Sequence, residues 1–121
     1  MLEVAVLMVL SQHALQPFEV GVASYYTVES SSTVTASGER MRDDAYTAAM
    51  LDGEFGHYYL VTAENGNSVV VRLNDRGPYV DGRVIDLSKA AMRELCPESG
   101  LLDVKIYDLG PRIPPNLRMS N

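Results

Sequence analysis

The sequence predicts a mostly β fold, a compact barrel of about six short strands with one short helix, and three observations carry that expectation. Apolar and β-branched residues recur in short runs bounded by glycine, proline and asparagine. Asn65-Gly66-Asn67 separates two such runs in the way a tight hairpin turn does. Helix signals at both ends occur around Lys89–Leu95, with Ser88 before it and Pro97 after it. At 121 residues, 46% of them hydrophobic, the chain has room for a single core and hence a single domain.

Taken in order, residues 1–20 read as a possible signal peptide or leader. Val4–Leu10 is a short apolar run, Ala14 could end a cleavage site, and no Lys or Arg precedes the run. The alternative for that run is a buried strand or helix segment. A leader implies an exported protein, periplasmic or associated with the cell wall. The domain proper is expected over 21–109. Gly21–Tyr26 alternates small and larger residues as a first strand, and the Ser/Thr-rich stretch TVESSSTVTASGE after it is a long loop. Tyr46–Met50 and Tyr58–Thr62 are strand candidates separated by Gly53 and Gly56, where the backbone turns cheaply. Ser68–Leu73 is dense in valine and should be a core strand paired with Tyr58–Thr62. Arg83–Ile85 returns as a short strand, and Leu102–Leu109 alternates well enough to be the last. The proline-bearing segment 110–121 shows no pattern and is expected to be disordered.

Composition removes several function classes. The net charge is −6 and none of the ten basic residues precedes Arg40, so no basic stripe exists to neutralise phosphates, and nucleic acid is not an expected partner. No apolar run approaches the ~18 residues of a membrane span, and no membrane anchor is evident. Cys96 is the only cysteine, which excludes an intrachain disulfide; it reads as a small apolar side chain at a helix end. His13 and His57 are isolated and the acidic residues lack a calcium-loop spacing, so no metal is expected. The glycines form no G-x-G-x-x-G or phosphate-loop pattern, and no cofactor is implied. The oligomeric state is left open.

The chemistry concentrates in NDRGPYVDGRVIDLS, residues 74–88. Asp75 follows an apolar strand and precedes Gly77-Pro78, which stiffens the loop that holds its carboxylate at the barrel's edge. Asp81-Gly82 signals a second turn, after which the chain returns and brings Asp86 back near Asp75. Neighbouring carboxylates repel, and a partly apolar cleft disfavours ionisation; either effect keeps a proton ready for general-acid work, the chemistry of glycosidic bond cleavage. The structural alternatives stand beside this reading. Asp86 can instead satisfy helix N–H groups or pair with Arg83 or Arg76, and Asp75 can be a turn aspartate bonded to its own loop.

GVASYY, TASGERM, YTAAM and FGHYYLVTAENGNSVVVRLNDRGPYVDGRVIDLSKAA, in that order over Gly21–Leu109, resemble the double-psi β-barrel domain of the rare lipoprotein A (RlpA) family. The resemblance implies a six-stranded double-psi barrel. It also implies lytic transglycosylase activity on peptidoglycan glycan strands, with a preference for strands stripped of stem peptides. The wider barrel class includes expansins and a family of endoglucanases, whose aspartates matching Asp75 and Asp86 line a polysaccharide groove. Residue by residue, Asp75 matches the family's catalytic aspartate, and Glu39 in Ser37-Gly38-Glu39 matches an active-site glutamate. The family's Thr-Ala-Ala-His ends here in Met50, which can neither shuttle a proton nor donate a hydrogen bond. Its usual Trp-Tyr-Gly is Tyr25-Tyr26-Thr27 here, and its C-terminal peptidoglycan-binding repeat and lipidated cysteine are not found in the sequence.

The implied reaction is non-hydrolytic. Protonated Asp75 donates to the leaving oxygen of the MurNAc–GlcNAc β-1,4 bond. The same carboxylate or Glu39 then takes the proton of the muramoyl C6 hydroxyl, closing a 1,6-anhydro ring. A hydrolase would use Asp86 or Glu39 as a second carboxylate. In the cleft so expected, Asn74 and Arg76 bond sugar hydroxyls or N-acetyl groups, Ser37 adds a polar contact, and Tyr26 and Tyr79 offer flat faces to pyranose rings. The competing expectation, sharpened by Met50, is an expansin-like module that binds wall glycan without cutting it. A barrel serving only as a protein scaffold would bind no glycan.

Overall fold

A computed structural model of the chain describes residues 16–30, 33–115 and 117. Six strands close into a barrel: β1 (Glu19–Tyr25), β2 (Thr47–Ala49), β3 (Tyr58–Ala63), β4 (Ser68–Asp75), β5 (Arg83–Leu87) and β6 (Leu102–Gly110). One helix, α1 (Lys89–Leu95), lies between β5 and β6, and a 3-10 turn spans Val28–Ser30. The order around the barrel is β1-β5-β2-β4-β3-β6, closing on itself. Pairs β1/β5 and β2/β4 are parallel; the rest are antiparallel. The expected mostly β barrel with one helix is the observed architecture.

The hairpin joins β3 to β4 through Asn65-Gly66-Asn67, with Gly66 at φ 90°, a conformation that glycine adopts without steric cost. The turn also docks on the helix, because the side-chain amides of Asn65 and Asn67 both donate to the Leu95 carbonyl at 3.0 Å. That satisfies an acceptor which the end of α1 leaves without an intrahelical partner. At the other end Ser88 is the N-cap: its Oγ accepts from Ala91 N and donates to Ala45 O at 2.6 Å, tying the helix start to the entry of β2. The helix buries Ala91, Met92 and Leu95 in the barrel's core.

Strand alternation sorts the side chains. Ala23, Ala48, Tyr59, Val61, Val69, Val71, Leu73, Ile85 and Leu87 face the interior. The residues between them on β3 and β4, Leu60 and Val70, join Tyr107, Leu109 and Leu117 in a second cluster. The valine run of β4 is therefore buried on both faces. Leu117 is 4% exposed and Ile113 packs beside it, so these described residues of 110–121, expected to be disordered, have a place in the fold. The physical reason is that Leu60 and Val70 present an apolar outer surface that aqueous solvent would otherwise meet. The barrel also begins earlier than expected, since Glu19 and Val20 of the 1–20 segment belong to β1 and pair with Ile106 and Lys105. The apolar run Val4–Leu10 lies outside the described residues.

Candidate active site

A single three-residue strand sets the geometry. On one side β2 pairs with β5, Ala49 opposite Asp86; on the other it pairs with β4, Ala49 opposite Asp75. On β5's far side Ser24 of β1 lies opposite Asp86. Residues in register share a face of the sheet, so Ser24, Asp86, Ala49 and Asp75 form one row across four neighbouring strands. Ala23, Ala48, Ile85 and Leu87 point inward, which places the row on the barrel's outer face.

Asp75 reaches that row through a bulge. Ala48 pairs with Leu73, but the next residue, Ala49, pairs with Asp75, so β4 advances two residues for one on β2. The extra residue is Asn74. Without it, alternation from Leu73 would turn residue 74 outward and residue 75 toward the core; with it, the carboxylate is re-aimed beside Ala49. Ala49 has only a methyl group, which leaves open the space between the two aspartates. The strand spacing puts the Cα atoms of Asp75 and Asp86 roughly 10 Å apart, two spacings of about 4.8 Å.

The row floors a cleft of about 490 Å³, walled by Tyr25, Tyr26, Met41, Arg76, Gly77, Pro78, Tyr79, Val80 and Arg83. Gly77-Pro78 is a cis peptide bond. Asp86 is half-buried. Burial pushes its carboxyl above the ordinary aspartate value, the Asp75 charge pushes it the same way, and the Ser24 hydroxyl, donating to Oδ1 at 3.1 Å, and Arg83 oppose the rise. Asp75 accepts from the backbone N–H groups of Ala36 (2.8 Å) and Arg76 (2.9 Å), both on Oδ1, which leaves Oδ2 for the cleft. Tyr26 is buried, its hydroxyl 2.8 Å from Thr47 Oγ1. Its phenol is pushed up to about 12, chiefly by burial and further by Asp75 and Asp86, against the lowering effect of the Thr47 bond. Tyr79, 80% exposed, presents an open ring instead.

Five of the expected site residues thus meet in the cleft: Asp75, Asp86, Tyr26, Arg76 and Tyr79. Arg76 spends its guanidinium on the 50–53 loop, donating to Met50 O and Gly53 O at 3.3 and 2.9 Å and lying 4.3 Å from the centre of the Phe55 ring. Glu39, Ser37 and Asn74 lie beside the cleft and do not line it. The Glu39 carboxylate is bound bidentately by Arg72 at 2.6 and 2.8 Å and by Asn74 Nδ2 at 3.0 Å. The Arg72 bonds hold its carboxyl below the ordinary glutamate value, helped by Asn74 and opposed by burial. Ser37 N donates to Asn74 O, and its Oγ meets Thr35 Oγ1 at 2.9 Å. The 35–39 turn is therefore fastened onto the bulge, and the fastening presents Ala36 N to Asp75.

Met50 faces the core at 1% exposure, away from the cleft. His57 bridges Glu54 and Asp108 at 2.9 and 3.2 Å, also away from it. Sequence reasoning missed Ser24, Ala49 and Met41 as site residues. The pairing of β1 with β5 and of β5 with β2 brings the first two in, and no local signal marks such a pairing. Among the described residues, no cluster of His, Cys, Asp and Glu could hold a metal.

Residues 18–106 match the family described as lytic transglycolase. The endolytic peptidoglycan transglycosylase RlpA of Pasteurella multocida is 47% identical over 76 residues, covering 62% of this chain and 26% of that protein. The probable one of a Nostoc species is 48% identical over 94 residues, covering 74% and 25%. The chain thus spans about a quarter of the length of the curated relatives it matches. Among solved structures, the fold is similar to an expansin of Clavibacter michiganensis (TM-score 0.61, 21% identity, 79% of this chain and 52% of that one). It is also similar to a Streptomyces papain inhibitor (TM-score 0.58, 24% identity, 74% and 93%). With the barrel, the aspartate row and a match over most of its length together, the chain belongs to the RlpA family and carries its double-psi β-barrel domain.

Proposed function

We propose that this chain is a peptidoglycan lytic transglycosylase. It acts outside the cytoplasm on strands stripped of stem peptides and cuts the MurNAc–GlcNAc β-1,4 bond to leave a 1,6-anhydroMurNAc end. The observation that carries the reading is the row Ser24–Asp86–Ala49–Asp75, which sets two carboxyls on one open face with a gap between them. The kinship with relatives named for this activity supports it.

The two carboxyls divide the proton work. Asp86, the member whose burial favours the neutral form, donates its proton to the departing glycosidic oxygen. Asp75, through Oδ2, takes the proton of the muramoyl C6 hydroxyl as that oxygen closes on C1. One C–O bond breaks and one forms, one proton is given and one is taken, and no water is consumed. Between turnovers the proton passes from Asp75 back to Asp86 through solvent in the open cleft. Ser24 by its hydrogen bond and Arg83 by its charge favour the Asp86 carboxylate once it forms, and Ala36 and Arg76 fix Asp75 through their N–H groups. The open ring of Tyr79 stacks a pyranose at the cleft's edge. Glu39 acts at one remove, by securing the turn that carries Ala36.

The test is to incubate the chain, Asp75→Asn and Asp86→Asn with stem-peptide-free strands and to identify soluble products by mass spectrometry. Products with anhydro ends from the parent chain, lost in both variants, are expected. Products ending in reducing MurNAc would make it a hydrolase, and binding without products would make it a wall-binding module; either outcome sinks the proposal.

A further inference from the structure

Tyr25, the last residue of β1, borders two cavities. One is the aspartate cleft; the other, of about 260 Å³, lies behind the tyrosine between α1 and the 97–100 turn. Tyr25 is 44% exposed, and its ring sits over Gly100, where a Cβ would come within 3.3 Å of Tyr25 Cε1. An aromatic ring that borders two cavities offers apolar contact to a sugar chain reaching from one to the other.

The second cavity carries charge. Lys89 and Arg93, one helical turn apart on α1, both line it, and neither has an ion-pair partner among the described residues. The same two cations border a shallow hollow on their other side, with Asp43, Asp44 and Glu94. Asp43 accepts from Val28 N, Asp44 pairs with Arg42 and Glu94 accepts from the Tyr46 hydroxyl, and none of the three forms an ion pair with Lys89 or Arg93. Glu98 lines the cavity too, leaving it one positive charge in excess on a chain whose net charge is −6. Like charges four residues apart on a helix repel weakly, and an anion set between Lys89 and Arg93 would relieve that repulsion.

We propose that the cavity behind Tyr25 is a second glycan subsite that takes an acidic sugar, with the sugar's carboxylate set between Lys89 and Arg93. The proposal rests on the peptidoglycan reading. A strand cut internally must extend beyond the aspartates, and its muramoyl residues carry a lactyl carboxylate wherever no stem peptide is attached. A stem peptide converts that carboxylate to a neutral amide and removes the charge the cations would meet.

The experiment is equilibrium binding of a stem-peptide-free GlcNAc–MurNAc tetrasaccharide, and of the same sugar with its lactyl carboxyls converted to amides. It uses the full chain in an Asp75→Asn background so that cleavage does not deplete the ligand. The free acid should bind about tenfold more tightly than the amide. Lys89→Gln with Arg93→Gln should abolish that difference while leaving the thermal unfolding midpoint in place, both side chains being at the surface. Equal binding of acid and amide by the parent, or a preference that survives the double substitution, overturns the subsite. The anhydro-end assay on the unsubstituted chain is separate. Carboxylate-dependent binding without anhydro ends would keep the subsite and sink the lyase reading; anhydro ends with no carboxylate dependence would do the reverse.

Discussion

Replacing Arg72 with alanine tests whether Glu39 works by position or by proton transfer. Arg72 never enters the cleft; it makes two bonds of 2.6 and 2.8 Å to Glu39, which also receives Asn74 at 3.0 Å. A hydrogen bond to a charged group is worth about 1.5–3 kcal/mol when fully buried, and an exposed ion pair about 0.2–1 kcal/mol. The side chains here are 30% and 41% exposed, between those limits. Arg72→Ala should therefore cost about 1–2 kcal/mol, a fall in the unfolding midpoint of roughly 5–10 °C for a domain of this size. Glu39 is held below its ordinary value of 4.5, so this contribution is present above that pH and is lost as pH falls below it. The midpoint difference between parent and variant should close on acidification. Loosening the 35–39 turn also withdraws Ala36 N from Asp75, which should lower turnover by roughly 10- to 100-fold. Glu39→Gln keeps a side chain that can bond Arg72 and Asn74 and should lose less. The readouts are thermal unfolding against pH and the rate of anhydro-end release. If Glu39→Gln abolished release while Arg72→Ala left it intact, Glu39 would be handling protons itself and the positional argument would fail.

Three further outcomes follow from the same geometry. Because burial raises the Asp86 carboxyl, release should decline as pH rises through that raised value, later than it would for an ordinary aspartate. Ser24→Ala removes an opposing bond and should move that decline to higher pH; a profile that did not move would separate Asp86 from the rate. Tyr79→Ala, at a site 80% exposed, should weaken glycan affinity by about tenfold with the unfolding midpoint unchanged, as read by equilibrium binding and thermal melting. Leu117→Ala should cost about 2–4 kcal/mol by denaturant unfolding if the cluster with Leu60, Val70 and Tyr107 is as tight as its burial indicates.

The parts of the fold that were legible in the sequence are those encoded by neighbours along the chain. The Asn65-Gly66-Asn67 hairpin, the Ser88 cap and the valine-rich β4 each carry their signal within a few residues. The packing of Ile113 and Leu117, in a segment expected to be disordered, has its signal elsewhere in the chain. Segment 110–121 has no period of its own, but Val69-Val70-Val71 is an unbroken apolar run, and such a run calls for cover on both faces of the strand. Leu117 supplies that cover on the outer face, so β4 carried the information that the tail did not. For the site, the spacing of Asp75 and Asp86 suggested proximity, yet it could not distinguish a loop-borne acid at a barrel edge from a strand-borne acid on an outer wall.

The bulge at Asn74 shows why that distinction lies beyond local pattern. Strict alternation along Ser68–Asp75 assigns Leu73 and Asp75 to the same face, the interior, where an ionised carboxylate would be prohibitive. The single-residue slip against β2 resolves the conflict by giving Leu73 to the core and Asp75 to the cleft. The slip is held by contacts from outside the strand: Ser37 N on the Asn74 carbonyl and Glu39 on the Asn74 amide. Glu39 thus supports the bulge that turns Asp75 outward without itself lining the cleft. The same register explains how methionine is accommodated at position 50. Continuing past Ala49, the chain turns that side chain into the core, where a thioether packs well and an imidazole would need a polar partner.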